Sequence, residues 1–176
     1  MGTIFVDTLE PQSGTSLTLG ASGDTIGLAT GASQTLAVNT PAFHAYSNST
    51  TSASGNTATI LKMDTEVFDT NSCYDPSAYR FTPNVAGKYH VYMSARFGNT
   101  IDFDELAILI RKNGSNIAKF GMRTENSPTI NCSTTTDMNG SSDYLEAFCF
   151  QNSGGTENFS SGSDQTFFGA YKLIGA

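Results

Sequence analysis

The stretch from Met63 to Met93, MDTEVFDTNSCYDPSAYRFTPNVAGKYHVYM, decides the fold. Its last seven residues alternate. Tyr89, Val91 and Met93 point one way, and Lys88, His90 and Tyr92 the other. Period two with one dry side is the pattern of a strand packed on a core. Gly87 stands just before this run, where a bend or a positive φ is expected. Pro76 and Pro83 bracket a short strand over Tyr79–Phe81 and keep it from extending, because proline cannot donate to a ladder.

The same grammar runs from Pro41 onward. Strands are expected at Phe43–Ala45, Ala58–Met63, Glu66–Phe68, Tyr79–Phe81, Gly87–Arg96, Leu106–Arg111, Asn116–Gly121, Thr129–Thr136, Tyr144–Gln151 and Thr166–Leu173. Turn signals separate them at Tyr74-Asp75-Pro76, Asn113-Gly114, Asn139-Gly140 and Asn152-Ser153-Gly154-Gly155. No window combines helical periodicity with caps. About ten short strands with frequent turns predict an all-β sandwich or jelly roll. The final strand should lock the end of the chain into a sheet. The segment Thr129–Gln151 reads as a hairpin about Gly140-Ser141, which sets Cys132 opposite Cys149. In that register the two cysteines are either a cross-strand disulfide or a pair of buried thiols.

Residues 1–40 are written differently. They contain no Lys or Arg, and their large apolar residues come in spaced pairs: Leu17/Leu19, Ile26/Leu28 and Leu36/Val38. Gly20, Gly23, Gly27 and Gly31 lie between. This reads as short strands in an approximate repeat, a β-rich stalk, with a flexible Gly/Ser-type linker as the alternative. Two apolar residues per turn cannot close a core within one chain. An ordered stalk would therefore need other copies to supply its missing walls, with those six side chains as the contact.

Composition narrows the function. Of the 176 residues 14% are charged, and Lys+Arg 9 against Asp+Glu 16 gives a formal net charge of -7. An acidic chain without a basic run is a poor partner for nucleic acid or an anionic membrane. No apolar stretch approaches the length that spans a bilayer. Residues Met1 to Val6 carry no basic stretch with an apolar run behind it, so no secretory signal is expected. The odd cysteine count (Cys73, Cys132, Cys149) then fits reduced thiols better than a disulfide framework. His44 and His90 have no metal-ligand partner nearby in sequence and read as structural or surface histidines. Nucleophile-elbow, Walker and Cys-x-x-Cys motifs are missing, so no cofactor and no enzymatic activity are expected. Asp102, Asp104 and Glu105 form the one acidic cluster, placed in a loop. Its carboxylates could ligate calcium, but they lack the spacing of a calcium loop, and a solvated charged loop is the default reading.

The spacing of Met63, Asp69, Tyr74, Phe81, Gly87, Tyr89, Val91 and Met93 resembles the globular head of the complement C1q-like family, a relative of tumour-necrosis-factor jelly rolls. Met63, Val91 and Met93 carry other apolar side chains where that family has aromatics. Phe68-Asp69-Thr70-Asn71, Arg80-Phe81-Thr82-Pro83, Val85-Ala86-Gly87, Arg111-Lys112-Asn113-Gly114, Asp143-Tyr144-Leu145 and Thr166-Phe167-Phe168-Gly169-Ala170-Tyr171 extend the resemblance over residues 41–176. It implies a jelly-roll head, homotrimeric, with Tyr74, Phe81, Tyr89, Val91, Phe167 and Tyr171 in the head core or on the threefold axis. Tyr74, Tyr79 and Tyr92 read as core or axis residues more readily than as ligand contacts. A collagenous Gly-X-Y stalk is missing.

The opening Val6-Asp7-Thr8-Leu9-Glu10-Pro11-Gln12-Ser13-Gly14, with the Gly/Leu repeats behind it, is similar to the N-termini of bacteriophage fibre and appendage proteins. The expectation is therefore a non-enzymatic virion protein, displayed on the particle surface. Residues 1–40 would dock to other virion proteins, and a trimeric head would touch a host surface glycan or protein. Two alternatives stand beside it: a capsid-decorating trimer that clamps neighbouring subunits, and a secreted complement-type binding module. A glycan-cleaving appendage enzyme would need paired carboxylates across a cleft.

Overall fold

A computed structural model describes residues 21–23, 25, 40–98, 103–124 and 128–174. The six stalk candidates Leu17, Leu19, Ile26, Leu28, Leu36 and Val38, and Asp102 of the acidic cluster, lie outside the described residues. The chain divides into two units, Met1–Leu36 and Ala37–Ala176. The second holds every strand among the described residues: β1 Ala42–Tyr46, β2 Thr51–Ser54, β3 Thr59–Ile60, β4 Thr65–Asp69, β5 Tyr74–Asp75, β6 Arg80–Phe81, β7 Gly87–Arg96, β8 Phe103–Lys112, β9 Ser115–Thr124, β10 Thr129–Met138, β11 Leu145–Gln151, β12 Thr156–Phe159 and β13 Phe167–Lys172. The described residues contain no helix.

Two antiparallel sheets form the sandwich. One has five strands in the order β10-β7-β13-β1-β4, and the other has six, β5-β6-β11-β8-β9 with β3 pairing β11. A ribbon of β2 and β12 adjoins them, joined to the five-stranded sheet by a bridge between Phe97 and Phe159. The core alternates as read from the sequence: Tyr89, Val91 and Met93 are buried and Lys88 is exposed. Phe43 of β1 ties the sheets together. Its ring stacks on Tyr74 at 4.6 Å and on Phe81 at 4.4 Å, both from the opposite sheet, and meets Phe168 of its own sheet edge-on at 5.2 Å. Buried rings in such pairs add specificity beyond the area they remove from water.

The spaced residues of the Met63–Met93 stretch touch one another. The Asp69 carboxylate accepts the Tyr74 N–H at 2.7 Å, and the Tyr74 hydroxyl donates to the Met63 carbonyl at 2.7 Å in the interior. The Tyr89 hydroxyl donates to the Val85 carbonyl. Burial lifts the Tyr74 phenol well above its ordinary range, with nearby carboxylates adding to the shift, so it stays a donor. Gly87 has φ +149°, and a Cβ there would meet the Lys172 side chain at 2.7 Å.

Several expectations need correction. Tyr79 is not in a strand; it takes φ 57°, and only Arg80–Phe81 pairs. The strand expected over Ala58–Met63 shrinks to Thr59–Ile60. The strands Thr51–Ser54, Tyr74–Asp75 and Thr156–Phe159 were not expected from the sequence.

The Thr129–Gln151 hairpin does not form. β10 pairs β7 and β11 pairs β8, so the connection crosses between sheets. Cys132 lies opposite Met93 and Cys149 opposite Ile108, and all three cysteines are free. The cause is what holds the connection. Asn139 Oδ1 accepts the N–H groups of Ser141, Ser142 and Asp143. Asp143 is then fixed to the β8–β9 turn by Lys112 at 2.9 Å and by Asn113 at 2.7 Å. That turn belongs to the other sheet, and the chain follows it there. Gly140 (φ +72°) lies so close to Val85–Ala86 that a Cβ would stand 2.3 Å from the Ala86 nitrogen.

Candidate interaction surface

The two sheets differ on their outer faces. On the outer face of the six-stranded sheet the rings of Tyr144, Phe148 and Phe150 lie under cations, while Phe120 of the edge strand β9, opposite the buried Ile108, is 47% exposed. Arg80 lies 3.8 Å over Tyr144 and Arg111 4.0 Å over Phe148, with Lys119 5.8 Å from Phe150. Arg80 also pairs with Glu146 at 2.8 Å. Such stacking satisfies a ring face and a cation together and leaves a polar surface.

The five-stranded sheet presents bare rings. The register places Tyr92, Gly169, His44 and Phe68 in one row across β7, β13, β1 and β4, with His90 and Tyr171 paired in the next row and Phe167 opposite Tyr46 in the row on the other side. Ring centroids lie 5.9 Å apart for His44–Tyr92, 5.4 Å for His44–Phe167, 5.4 Å for His90–Tyr171 and 6.4 Å for Tyr92–Phe167. Gly169 makes this arrangement possible. Its missing side chain leaves room for the Tyr92 ring to lie across β13, since a Cβ there would meet Tyr92 Cζ at 2.4 Å. The ring reaches far enough for its hydroxyl to stand 3.1 Å from His44 Nδ1. At the rim, Val67 and Phe68 of β4 are 57% and 47% exposed. A hollow of about 220 Å³ beside Tyr92 and Phe167 is lined also by Asn131, Cys132 and Ser133.

Burial sets the protonation of this face. It lowers the His44 pKa and raises those of the Tyr92 phenol and the Cys132 thiol, with Tyr171 adding to the effect on Tyr92. Burial thus favours the neutral imidazole at His44, the neutral phenol at Tyr92 and the neutral thiol at Cys132.

The residues grouped by the sequence as core or axis separate cleanly. Tyr74, Phe81, Tyr89 and Val91 are buried inside the single chain. Phe167 and Tyr171 stand half-buried on the open face. His44 and Phe68 belong to this face and were not singled out for it. Their signal was the odd-even alternation, which puts His44 opposite in sense to Phe43 and Ala45. Asp104 and Glu105 of the acidic cluster are not in a loop. They are on β8, where Asp104 pairs with Arg123 at 3.3 Å and Glu105 with Lys119. These pairs line a cleft of about 440 Å³ with Gly121 and Met122. Their carboxylates thus face cations, and no group of metal-ligating side chains occurs among the described residues.

In fold this architecture is a jelly roll of the C1q and tumour-necrosis-factor type. The chain is similar in fold to the globular domain of zebrafish complement 1qA, with a TM-score of 0.56 at 15% identity over 76% of this chain and 97% of that one. It is similar also to murine APRIL, with a TM-score of 0.58 at 14% identity over 75% and 98%, and to Eiger TNF from S. frugiperda, with a TM-score of 0.50 at 13% identity over 77% and 93%. No family model and no curated protein matches the sequence.

Proposed function

We propose that this chain is a non-enzymatic binding head that works as a homotrimer, with the aromatic face of its five-stranded sheet buried between copies. The observation that carries the reading is the contrast of the two outer faces. Cations cap the rings on one. On the other, Phe68 is 47% exposed beside His44, Tyr92 and Phe167. A contiguous row of half-buried rings ending in the exposed Phe68, on a chain so rich in polar residues, is the signature of an interface. A second copy of the same chain is the occupant that the resemblance to C1q-like heads supports.

The finer part of the proposal is place. The chain is read as a bacteriophage virion protein, a short appendage whose residues 1–40 attach to the particle and whose head meets a host surface glycan or protein. Its support is the N-terminal sequence, with spaced apolar pairs that cannot close a core alone.

Light scattering on the full chain tests the first part: a three-chain mass is expected, and Phe68→Asp should lower it while leaving the β-sheet spectrum intact. A single-chain mass for the wild type refutes it. Imaging of intact particles tests the second. Head density at the tail or vertices supports the appendage. Density at capsid threefold positions replaces it with a decoration role, and a particle without the protein refutes both.

A further inference from the structure

His44 and His90 are the two histidines of the sequence, and both stand on the aromatic face. They flank Tyr92, His44 at 5.9 Å and His90 at 6.2 Å, each ring inclined 24° to the phenol. His44 is enclosed further by Phe68 and Phe167, and His90 by Tyr171.

The charged and titratable groups around them come from the neighbouring strands. On β1 there is Tyr46, and on β13 Tyr171. On β4 the residue opposite His44 is Phe68, and the exposed Glu66 lies opposite the buried Ala45, away from the histidines' face. β7 contributes Tyr92 and Lys88, and β10 contributes Asp137, which is held by Lys88 at 2.7 Å. Ser133 and Thr135 of β10 lie opposite Tyr92 and His90. Neither histidine has a carboxylate in ion-pair contact among the described residues.

We infer that this face is an acid-released interface: copies of the chain associate through it while His44 and His90 are neutral, and part when the two rings take up protons. The inference rests on the self-association reading above and adds its control. Ring faces attract an imidazolium but supply no counter-ion, and a second copy removes the water the charge keeps in the single chain, so protonation costs the assembled form more than the free one. Threefold repetition then sets like charges on every copy of the same face. Burial pushes the Tyr92 phenol up, away from this range, Asp137 is already matched by Lys88, and the exposed Glu66 stands opposite Ala45 rather than His44 and offers little compensation. Burial within one chain already holds the His44 pKa down. The sign follows: the neutral ring's contribution is full above the ordinary histidine value and is lost as pH falls through the lowered one. Each histidine that must shed a proton to enter the interface weakens association by up to about tenfold per pH unit, so three copies of His44 alone allow up to about a thousandfold per unit.

The test is light scattering of the full chain at fixed ionic strength from about pH 8 to about pH 5, with circular dichroism alongside to follow the fold. A three-chain mass at the upper end, a single-chain mass at the lower end, an unchanged β spectrum and reassembly on return are expected. H44Q keeps a hydrogen-bonding group beside Tyr92 without the charge, and should move the transition to lower pH. H44Q combined with H90Q should abolish it. If these substitutions disturb assembly at the upper pH, the imidazole titration of the wild type decides instead: His44 must titrate lower in the assembled protein than in the diluted single chain. A wild-type three-chain mass that persists through about pH 5, or a double variant that parts at the wild-type pH, overturns the inference and leaves self-association standing. A single-chain mass already at about pH 8 overturns both.

Discussion

Replacing Gly169 with alanine isolates the aromatic face from the core beneath it. The backbone of Gly169 is not in the left-handed region, so alanine introduces no dihedral strain of its own. The added Cβ would stand 2.4 Å from Cζ and Oη of Tyr92 and 2.9 Å from Cε2. No relaxation of a few tenths of an ångström relieves that contact, and the ring must swing away from β13. Two things go with it: the hydrogen bond between the Tyr92 hydroxyl and His44 Nδ1 at 3.1 Å, and the stacking of the two rings. These are worth roughly 0.5–1.5 kcal/mol each, so a cost of about 1–3 kcal/mol is expected. For a chain of this size that lowers Tm by about 2–12 °C. The flanking core residues Phe168 and Ala170 keep their positions, so denaturant unfolding should remain a single transition. Gly121→Ala is the control. Its Cβ would meet Ala107 Cβ at 3.4 Å, an ordinary contact, and its effect should stay within about 0.5 kcal/mol. A cycle with Tyr92→Ala completes the experiment: once the ring is gone, alanine at 169 should cost almost nothing. Gly169→Ala with wild-type Tm and wild-type mass in solution, or an equal penalty with and without Tyr92, would refute the reasoning.

Three further outcomes follow from named contacts. Tyr74→Phe leaves the buried Met63 carbonyl without its donor and should cost about 1–3 kcal/mol in urea unfolding. Side-chain hydrogen bonds from Asn113 and Lys112 hold the Asp143 carboxyl below its ordinary range. Its contribution is therefore complete above the ordinary carboxylate value and lost as pH falls through the lowered one, and Asp143→Asn should flatten the acid limb of a stability-against-pH curve. Thiol titration of the unfolded chain should find Cys73, Cys132 and Cys149 all reactive without reductant, and a titration that misses two of them would contradict the crossover of β10 to β11.

The sandwich was legible because its central strands alternate without interruption. Gly87–Arg96 is reproduced to the residue, since one dry face leaves a single register open to it. The edges were not legible. Thr51–Ser54 and Thr156–Phe159 are short and polar, and they pair because Gln151, buried far along the chain, donates to the Ala53 and Gly155 carbonyls. Nothing within either segment announces that anchor. The hairpin error has a similar origin. Asn139-Gly140 does make a turn, but the side-chain bonds from Asp143 to Lys112 and Asn113 decide which sheet receives the outgoing strand, and they join residues about thirty positions apart. The open face was half legible. Alternation sorted the sides of each strand, but not which of the two outer faces would be roofed by arginine and lysine.

Among the described residues β13 is the last strand in chain order, yet it lies at the centre of its sheet, between β7 and β1. On the ribosome, β1 and β7 emerge long before the segment that must slot between them. The sheet cannot close until synthesis has passed Lys172, so the nascent head waits with two unzipped edges exposed. Closure of this sheet thus waits on β13, and any truncation upstream of Phe167 removes the middle of the sheet rather than trimming its end.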